Sequence, residues 1–328
     1  MTPKKHQFYN RSRFDSMKRL LTILCLVLLS VHSYSQDVVT GPFLIREGII
    51  HHQDTNELVT GIVENFFDNG QLRFRNNFID GEKEGLQESF HENGQLKSRE
   101  NSIDGKLDGL SEYFHENGQL EVRGTFRNGE PNGGLLEFFH DNGQLQRRVN
   151  SIDGKLDGLW ESFHENGQLE FRGNYKDEEK DGLWETYYKN GKLQTKETYK
   201  DGERDGPSES FHDNGQLYYS GNYKDGTEDG LFKGFYKDGQ LEARVNFKDG
   251  IEDGLWEKFY DNGQLNIKVY NTDGKRHGLV EFFYENGQLG GKGNYKNGEQ
   301  DGLWESFDEN GNLIDTETYR NGELIETN

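Results

Sequence analysis

The chain has 328 residues, with 59 acidic against 38 basic side chains and a formal net charge of −21. That balance excludes a surface built for nucleic acid or anionic lipid, whose phosphates demand the opposite sign. A hydrophobic share of only 31%, with 42 glycines and 13% aromatic residues, suits thin twisted sheet with many turns rather than helices.

Residues 1–35 read as a secretory signal segment. From Met17, Lys18 and Arg19 precede an apolar run from Leu20 to Leu29, and Ser33-Tyr34-Ser35 supplies small residues for cleavage. Residues 1–16 carry Lys4, Lys5, Arg11 and Arg13, and form either an extended basic n-region or an upstream start, so the start at Met1 or Met17 stays open. The apolar run is shorter than the about 20 residues a membrane span needs. The expectation is an exported chain, periplasmic, cell-surface or secreted, with no stable span after signal removal. Cys25, the single cysteine, falls inside the run and leaves with it. Losing six basic residues and one acidic residue leaves 32 against 58, a net charge of −26.

Residues 36–60 lack the repeated turn described next and read as an N-terminal cap. Residues 61–321 are eleven repeats, and residues 322–328 a C-terminal end. The repeats are phased by an Asn-Gly-Gln-Leu tag or a close variant, whose glycines run from Gly70 through Gly94, Gly118, Gly143, Gly167 and onward to Gly311; nine of the ten spacings are 24 residues and one is 25. A unit this short cannot bury a core alone, so neighbours must stack.

The unit Gly158 to Asp181, GLWESFHENGQLEFRGNYKDEEKD, shows the pattern. Asn166-Gly167 marks a hairpin, both residues tolerating positive φ, and an Asp-Gly-rich segment joins units. Leu159, Phe163, Leu169 and Tyr175 occupy the packing positions; the second is Phe or Tyr and the third Leu in all eleven units. A two-residue turn would pair Glu161 with Arg172 and part Phe163 from Leu169. A three-residue turn with a Gly bulge would set Phe163 against Leu169 and gather Leu159, Phe163, Leu169, Phe171 and Tyr175 on one face; burial favours it. It leaves a ladder of glutamates, ten of eleven units with Lys233 the exception, on the apolar face without a partner. The fold class is therefore all-β, an elongated single-layer antiparallel meander of about eleven β-hairpin repeats, about 22 strands and roughly 100 Å long at ~4.8 Å per strand. Candidate kinks are the extra residue near Pro131-Asn132-Gly133-Gly134, Pro207 in a leucine position, and Lys233 near Arg244. Asn101–Leu110 and Asn150–Leu159 are identical, which points to duplication of a two-unit block.

The unit Gly-Leu-Trp-Glu-x-Phe-x-x-Asn-Gly-x-Leu followed by Gly-Asn-Tyr-Lys-Asp-Gly resembles the MORN repeat, and more closely its bacterial variant in YwqK-type proteins, from about Gly48 to the C-terminus. The resemblance implies an elongated sheet of hairpins used for protein contacts, with membrane association in some eukaryotic members. YwqK-type proteins are often labelled antitoxins, which implies a cytosolic partner.

No pattern points to catalysis or a cofactor. Repeated glutamates such as Glu161 and Glu185 share one environment, which cannot push two pKa values apart. Ser208, in Gly-Pro-Ser-Glu-Ser, is no nucleophile elbow. His91, His115, His140, His164 and His212 share one position, three before the turn glycine, and read as a surface stripe; neighbours about 10 Å apart cannot share a metal. Paired acids at Asp104/Asp108, Asp153/Asp157, Asp201/Asp205 and Asp249/Asp253 would suit calcium, but Asp-Gly turn chemistry accounts for them without it. Trp160, Trp184, Trp256 and Trp304 share another position and, with the histidines, form a candidate interaction stripe. The expected function is an exported non-catalytic repeat scaffold for a protein or glycan; the alternatives are an antitoxin-like neutraliser and a calcium-stiffened surface or secreted fibre.

Overall fold

The computed structural model describes residues 38–132, 134–152 and 154–327. The expected signal segment, Gly133 and Asp153 lie outside the described residues. Among those described there is no helix, and hence none long and apolar enough to cross a membrane. Twenty-eight strands form one sheet, with a separate two-stranded hairpin, Phe43–Arg46 with Ile49–His52. Strand order in the sheet follows chain order from Gly61–Phe66 onward, and pairing is antiparallel except where Val38–Val39 lies parallel to that first strand. The fold is thus the expected all-β meander of about eleven hairpins.

Two kinds of turn build it. In the unit above, strands Lys155–Phe163 and Leu169–Lys176 are joined by a turn in which the Gly167 N–H donates to the His164 carbonyl and the His164 N–H to the Gln168 carbonyl, each 2.8 Å. Of the Asn-Gly pair only the glycine takes positive φ, at 81°. The asparagine acts through its side chain instead. Its Oδ1 accepts from the Gln168 N–H at 3.1 Å, and its Nδ2 donates to the Lys189 carbonyl of the next unit at 2.8 Å. Asn69, Asn93, Asn190, Asn214, Asn262 and Asn286 bridge units in the same way. Asp238 accepts from Gln240 N–H, but a carboxylate has no amide proton to pass on.

The tight hairpin lies instead at the joints between units. Asp201 and Gly202, at φ 48° and 81°, make a two-residue turn of the mirror type whose twist suits flanking strands. One joint departs: Asp177-Glu178 carries a glutamate at φ 70°. An L side chain there costs about 1–2 kcal/mol, partly offset by the extra freedom of an unfolded glycine. Glu178→Gly is therefore expected to stabilise by roughly 0.5–1 kcal/mol, read as a higher urea midpoint at unchanged m-value; an equal or lower midpoint refutes the strain.

The register combines both alternatives. Phe163 faces Leu169, as the bulged turn requires, but the register then shifts between Ser162 and Phe163, so that Glu161 faces Arg172. Because side chains alternate along a strand, that shift sorts the residues differently from expectation. Leu159, Glu161, Phe163, Leu169 and Arg172 share one face, whereas Phe171 and Tyr175 turn to the other with Trp160, at ring-centroid distances of 6.3 and 5.1 Å. A second irregularity recurs between units: Arg172 faces Glu185 and Asn174 faces Asp181, so Gly182, Leu183 and Trp184 bulge opposite Gly173. Pro207 sits in the equivalent bulge of its unit, where a missing N–H is tolerated, and its strand Glu203–Phe211 is continuous across it.

The core is a column on the Trp face, including Val63, Gln87, Ser111, Trp184, Ser208, Phe232 and Val280, all buried. At the N-terminal end Ile50, Val59, Val63 and Phe78 cluster, with Val39, Phe43 and Phe74 against them. Hydrogen bonds from the Ile50 N–H to the Gly81 carbonyl and from the Gly81 N–H to the Val59 carbonyl fasten this segment to the first joint turn.

Candidate interaction surface

The tryptophan stripe is interior. Trp184 is 5% exposed; its indole lies over Gly173, and its Nε1 donates to the Asn174 carbonyl at 3.1 Å. Trp160, Trp256 and Trp304 are half-buried in the same column. The signal was present in the sequence: the eleven residues at this position include Val63, Gln87, Ser111, Leu136 and Val280, and none is charged.

The histidine stripe is a set of cross-unit ties rather than a free surface. His91, His164 and His212 set Nε2 at 2.8, 3.0 and 3.1 Å from the carbonyls of Phe114, Tyr187 and Phe235. Tyr188, Tyr236, Tyr260 and Tyr284 donate from the phenol to the same place one unit on, at 2.7 to 2.8 Å. His and Tyr alternate there because each carries a polar atom at the far end of a ring. His115 and His140 make no such bond; their Nε2 atoms are buried without partners.

On the opposite face the unpartnered glutamates find partners. Seven of the ten lie in register between cations on the two neighbouring strands, whereas Glu64, Glu209 and Glu305 have one on a single side: Arg99 is 3.4 Å from Glu88 and 4.0 Å from Glu112, and Glu137 is held by both Arg123 and Arg148. Arg148 continues to Glu161 at 3.1 Å, Arg172 to Glu185 at 2.6 Å and Lys292 to Glu305 at 2.8 Å. Lys233 does face Arg244, but that guanidinium turns to Glu257 in the next unit.

Beside this ladder runs the feature that sequence reasoning assigned to packing. Leu86, Leu110, Leu135, Leu183, Leu231, Leu279 and Leu303 are 38–51% exposed, at one position in seven of the eleven units, all on the charged face; Leu159 and Leu255 are half-buried there, and Ile62 and Pro207 take the place in the other two. Ile79, Ile103, Ile152 and Ile251, near the joint turns, are exposed as well. Isolated exposed leucines are ordinary, but these recur at one phase of the repeat, each facing an Asn or Thr on the adjoining strand. Among the described residues no group of three or more His, Cys, Asp or Glu side chains converges as a metal site.

These features define a β-hairpin repeat array whose single sheet continues from unit to unit. The family described as MORN repeat variant matches residues 59–80, 83–104, 107–128, 132–153, 156–177, 180–201, 204–225, 228–249, 252–275, 276–297 and 300–321. The chain belongs to that family. No curated protein matches it. Among solved structures it is similar to a chain of the TcdB2-TccC3-Cdc42 complex at 12% identity and TM-score 0.18, covering 81% of this chain and 17% of that one. A chain of the Photorhabdus luminescens Tc holotoxin pore gives 11% identity and TM-score 0.19, covering 85% and 19%. Choline binding protein F from Streptococcus pneumoniae gives 14% identity and TM-score 0.18, covering 88% and 100%. The chain thus spans less than a fifth of the two toxin chains, and scores of this size transfer neither fold detail nor function.

Proposed function

We propose that the protein is an exported, non-catalytic repeat scaffold that binds a protein partner along its charged face. The observation that carries this reading is the exposed leucine row beside the Glu–Arg ladder, 38–51% exposed at one position of seven units. Aliphatic side chains flanked by oriented charges suit a protein surface, with the leucine row supplying burial and the ladder setting register. A sugar would call for a row of exposed aromatic rings; the indoles of this chain are buried or half-buried, and the exposed Phe66, Tyr218 and Tyr270 lie in separate units. Export rests on the basic, apolar and small-residue sequence of the first 35 residues.

The test is affinity capture from native envelope and culture fluid with the full chain and with a variant carrying Leu86→Ser, Leu110→Ser, Leu183→Ser and Leu231→Ser. These side chains are exposed, so each change is expected to cost within about 0.5 kcal/mol of stability, checked by circular dichroism. One dominant protein held by the natural chain and lost from the variant supports the reading. Equal capture by both, or a partner found only in the cytoplasm with an uncleaved N-terminus, overturns it, the second outcome in favour of an antitoxin-like role.

A further inference from the structure

Asparagine followed by glycine is prone to lose its side-chain ammonia spontaneously. The glycine nitrogen attacks the asparagine Cγ, with no Cβ of its own in the way. The Cγ–Nδ2 bond breaks, the displaced nitrogen takes up the peptide proton and leaves as ammonia, and water opens the succinimide to aspartate or isoaspartate. Ten of the eleven repeat turns carry this dipeptide, and all ten asparagines are exposed.

Exposure therefore separates none of them, but hydrogen bonding does. In nine of the ten, Oδ1 accepts from the N–H two residues on, at 2.8–3.1 Å. In eight of those nine, Nδ2 also donates to a carbonyl of the following unit at 2.7–3.1 Å, Asn142 being the ninth. Ring closure needs Cγ to swing to the nitrogen one residue on, so these bonds must break first.

Asn310 has neither. The Asn312 N–H that its Oδ1 would cap donates to Asp308 Oδ1 at 2.8 Å, and the Asn310 N–H donates to the same oxygen at 2.9 Å. Asp308 stands where nine units hold His or Tyr, and its carboxylate has displaced the asparagine as the cap of this turn. The Asn312 amide donates to Asp308 Oδ2 at 2.9 Å. These donors, the Asn312 side chain first, hold the Asp308 carboxyl below the ordinary aspartate range, so it stays an ionised acceptor.

Three more Asn-Gly pairs, Asn128-Gly129, Asn297-Gly298 and Asn321-Gly322, lie at joints between units. There the glycine N–H is committed to the preceding unit, at 2.8 Å to the Leu107 and Arg276 carbonyls and at 2.9 Å to that of Gln300. The Gly311 N–H instead donates inside its own turn, to the Asp308 carbonyl at 2.9 Å. Freeing it opens one hairpin tip and no contact between units.

We propose that Asn310 is a modification site, the repeat asparagine at which the folded chain deamidates first. The product sets a further negative charge beside Asp308 and Glu309. Isoaspartate also adds a main-chain carbon to a turn closed by the Phe307–Leu313 pair.

The test is incubation of the full-length chain at mildly alkaline pH, with aspartate and isoaspartate at each Asn-Gly pair resolved by peptide mapping and electron-transfer fragmentation. Asn310 is expected to convert at least about tenfold faster than the eight doubly bonded asparagines, the factor for two hydrogen bonds that need not be broken first. Asn142 should fall between, and the three joint asparagines should trail Asn310. In guanidinium chloride, where bonding is lost, the rates should converge. Asp308→Tyr restores the residue found there in four other units; it should return the Asn312 N–H to Asn310 Oδ1 and slow conversion at least about threefold, with the fold checked by circular dichroism. Conversion of Asn310 no faster than that of the bonded asparagines, a joint asparagine reacting first, an unchanged rate in a folded Asp308→Tyr, or the same order of rates in guanidinium chloride overturns the inference.

Discussion

Trp184→Ala is expected to lower the unfolding free energy by about 3–5 kcal/mol, the range for removing a large buried aromatic side chain. Trp184 is at the centre of the densest part of the column. Its ring meets Phe171 at 6.4 Å, Tyr175 at 5.1 Å and Tyr199 at 6.3 Å, and Lys180 Nζ lies 4.4 Å over it. All of these contacts are with its own unit or the one before. Stability in such an array is a sum of unit and neighbour terms, so the loss should split one cooperative transition into two. Urea unfolding followed by circular dichroism would show this, and a single transition with a shift under about 1 kcal/mol would place the stability elsewhere.

The opposing residue supplies a sharper form of the same prediction. A Cβ built on Gly173 would collide with the Trp184 indole, and Gly173 has no positive φ to confuse the comparison. Gly173→Val is expected to cost about 1–3 kcal/mol through overpacking. In a Trp184→Ala background the valine enters vacated space, so the double variant should be more stable than the sum of the singles by at least about 1 kcal/mol. Val149 faces Trp160 and Val245 faces Trp256 in other units, so a β-branched residue against an indole is a pairing the column accommodates when both are fitted to each other. Strict additivity would show that the two side chains do not meet.

How much of the fold is legible in the residues alone turns on one register shift. The 24-residue period, the paired strands, the Phe163–Leu169 contact and the Glu161–Arg172 partnership are all visible in the sequence, yet the last two exclude each other in any regular hairpin because each implies its own register. A bulge between them reconciles both, and a bulge leaves only a weak trace in side-chain identity. Since a one-residue slip exchanges the faces of a strand, missing it moved Trp184 to the surface and Leu183 to the interior, the reverse of what is found. The positive-φ pair was misplaced for a similar reason. Asn-Gly and Asp-Gly look alike as turn signals, but Asn166 is retained for its amide, which ties one unit to the next. The missing ties at His115 and His140 are hydrogen bonds that fail, and no residue pattern announces them.

Glu137→Gln is expected to cost about 1–3 kcal/mol, the scale of hydrogen bonds to a charged group, and more than the same change elsewhere in the ladder. Glu137 is held from both sides, by Arg123 and by Arg148 at 3.3 Å, and its side chain is only 12% exposed. Removing its charge leaves two guanidiniums without their common counter-ion. Arg148 keeps Glu161 at 3.1 Å, whereas Arg123 has no second carboxylate partner among the described residues. Both arginine side chains are a third or more exposed, at 43% and 33%, so water meets part of the loss and the upper end of the range is a ceiling. Glu305, paired with Lys292 alone at 2.8 Å, is the natural comparison, and Glu305→Gln should cost under about 1 kcal/mol. Raising the salt concentration should shrink the Glu137 penalty by screening, without abolishing it because the carboxylate is mostly buried. Equal penalties at the two sites would mean that each glutamate acts in a private pair. A larger penalty at Glu137 would mean that the ladder carries charge coupling across units, which would make the row of ions beside the exposed leucines a rigid, phased surface rather than a set of independent side chains.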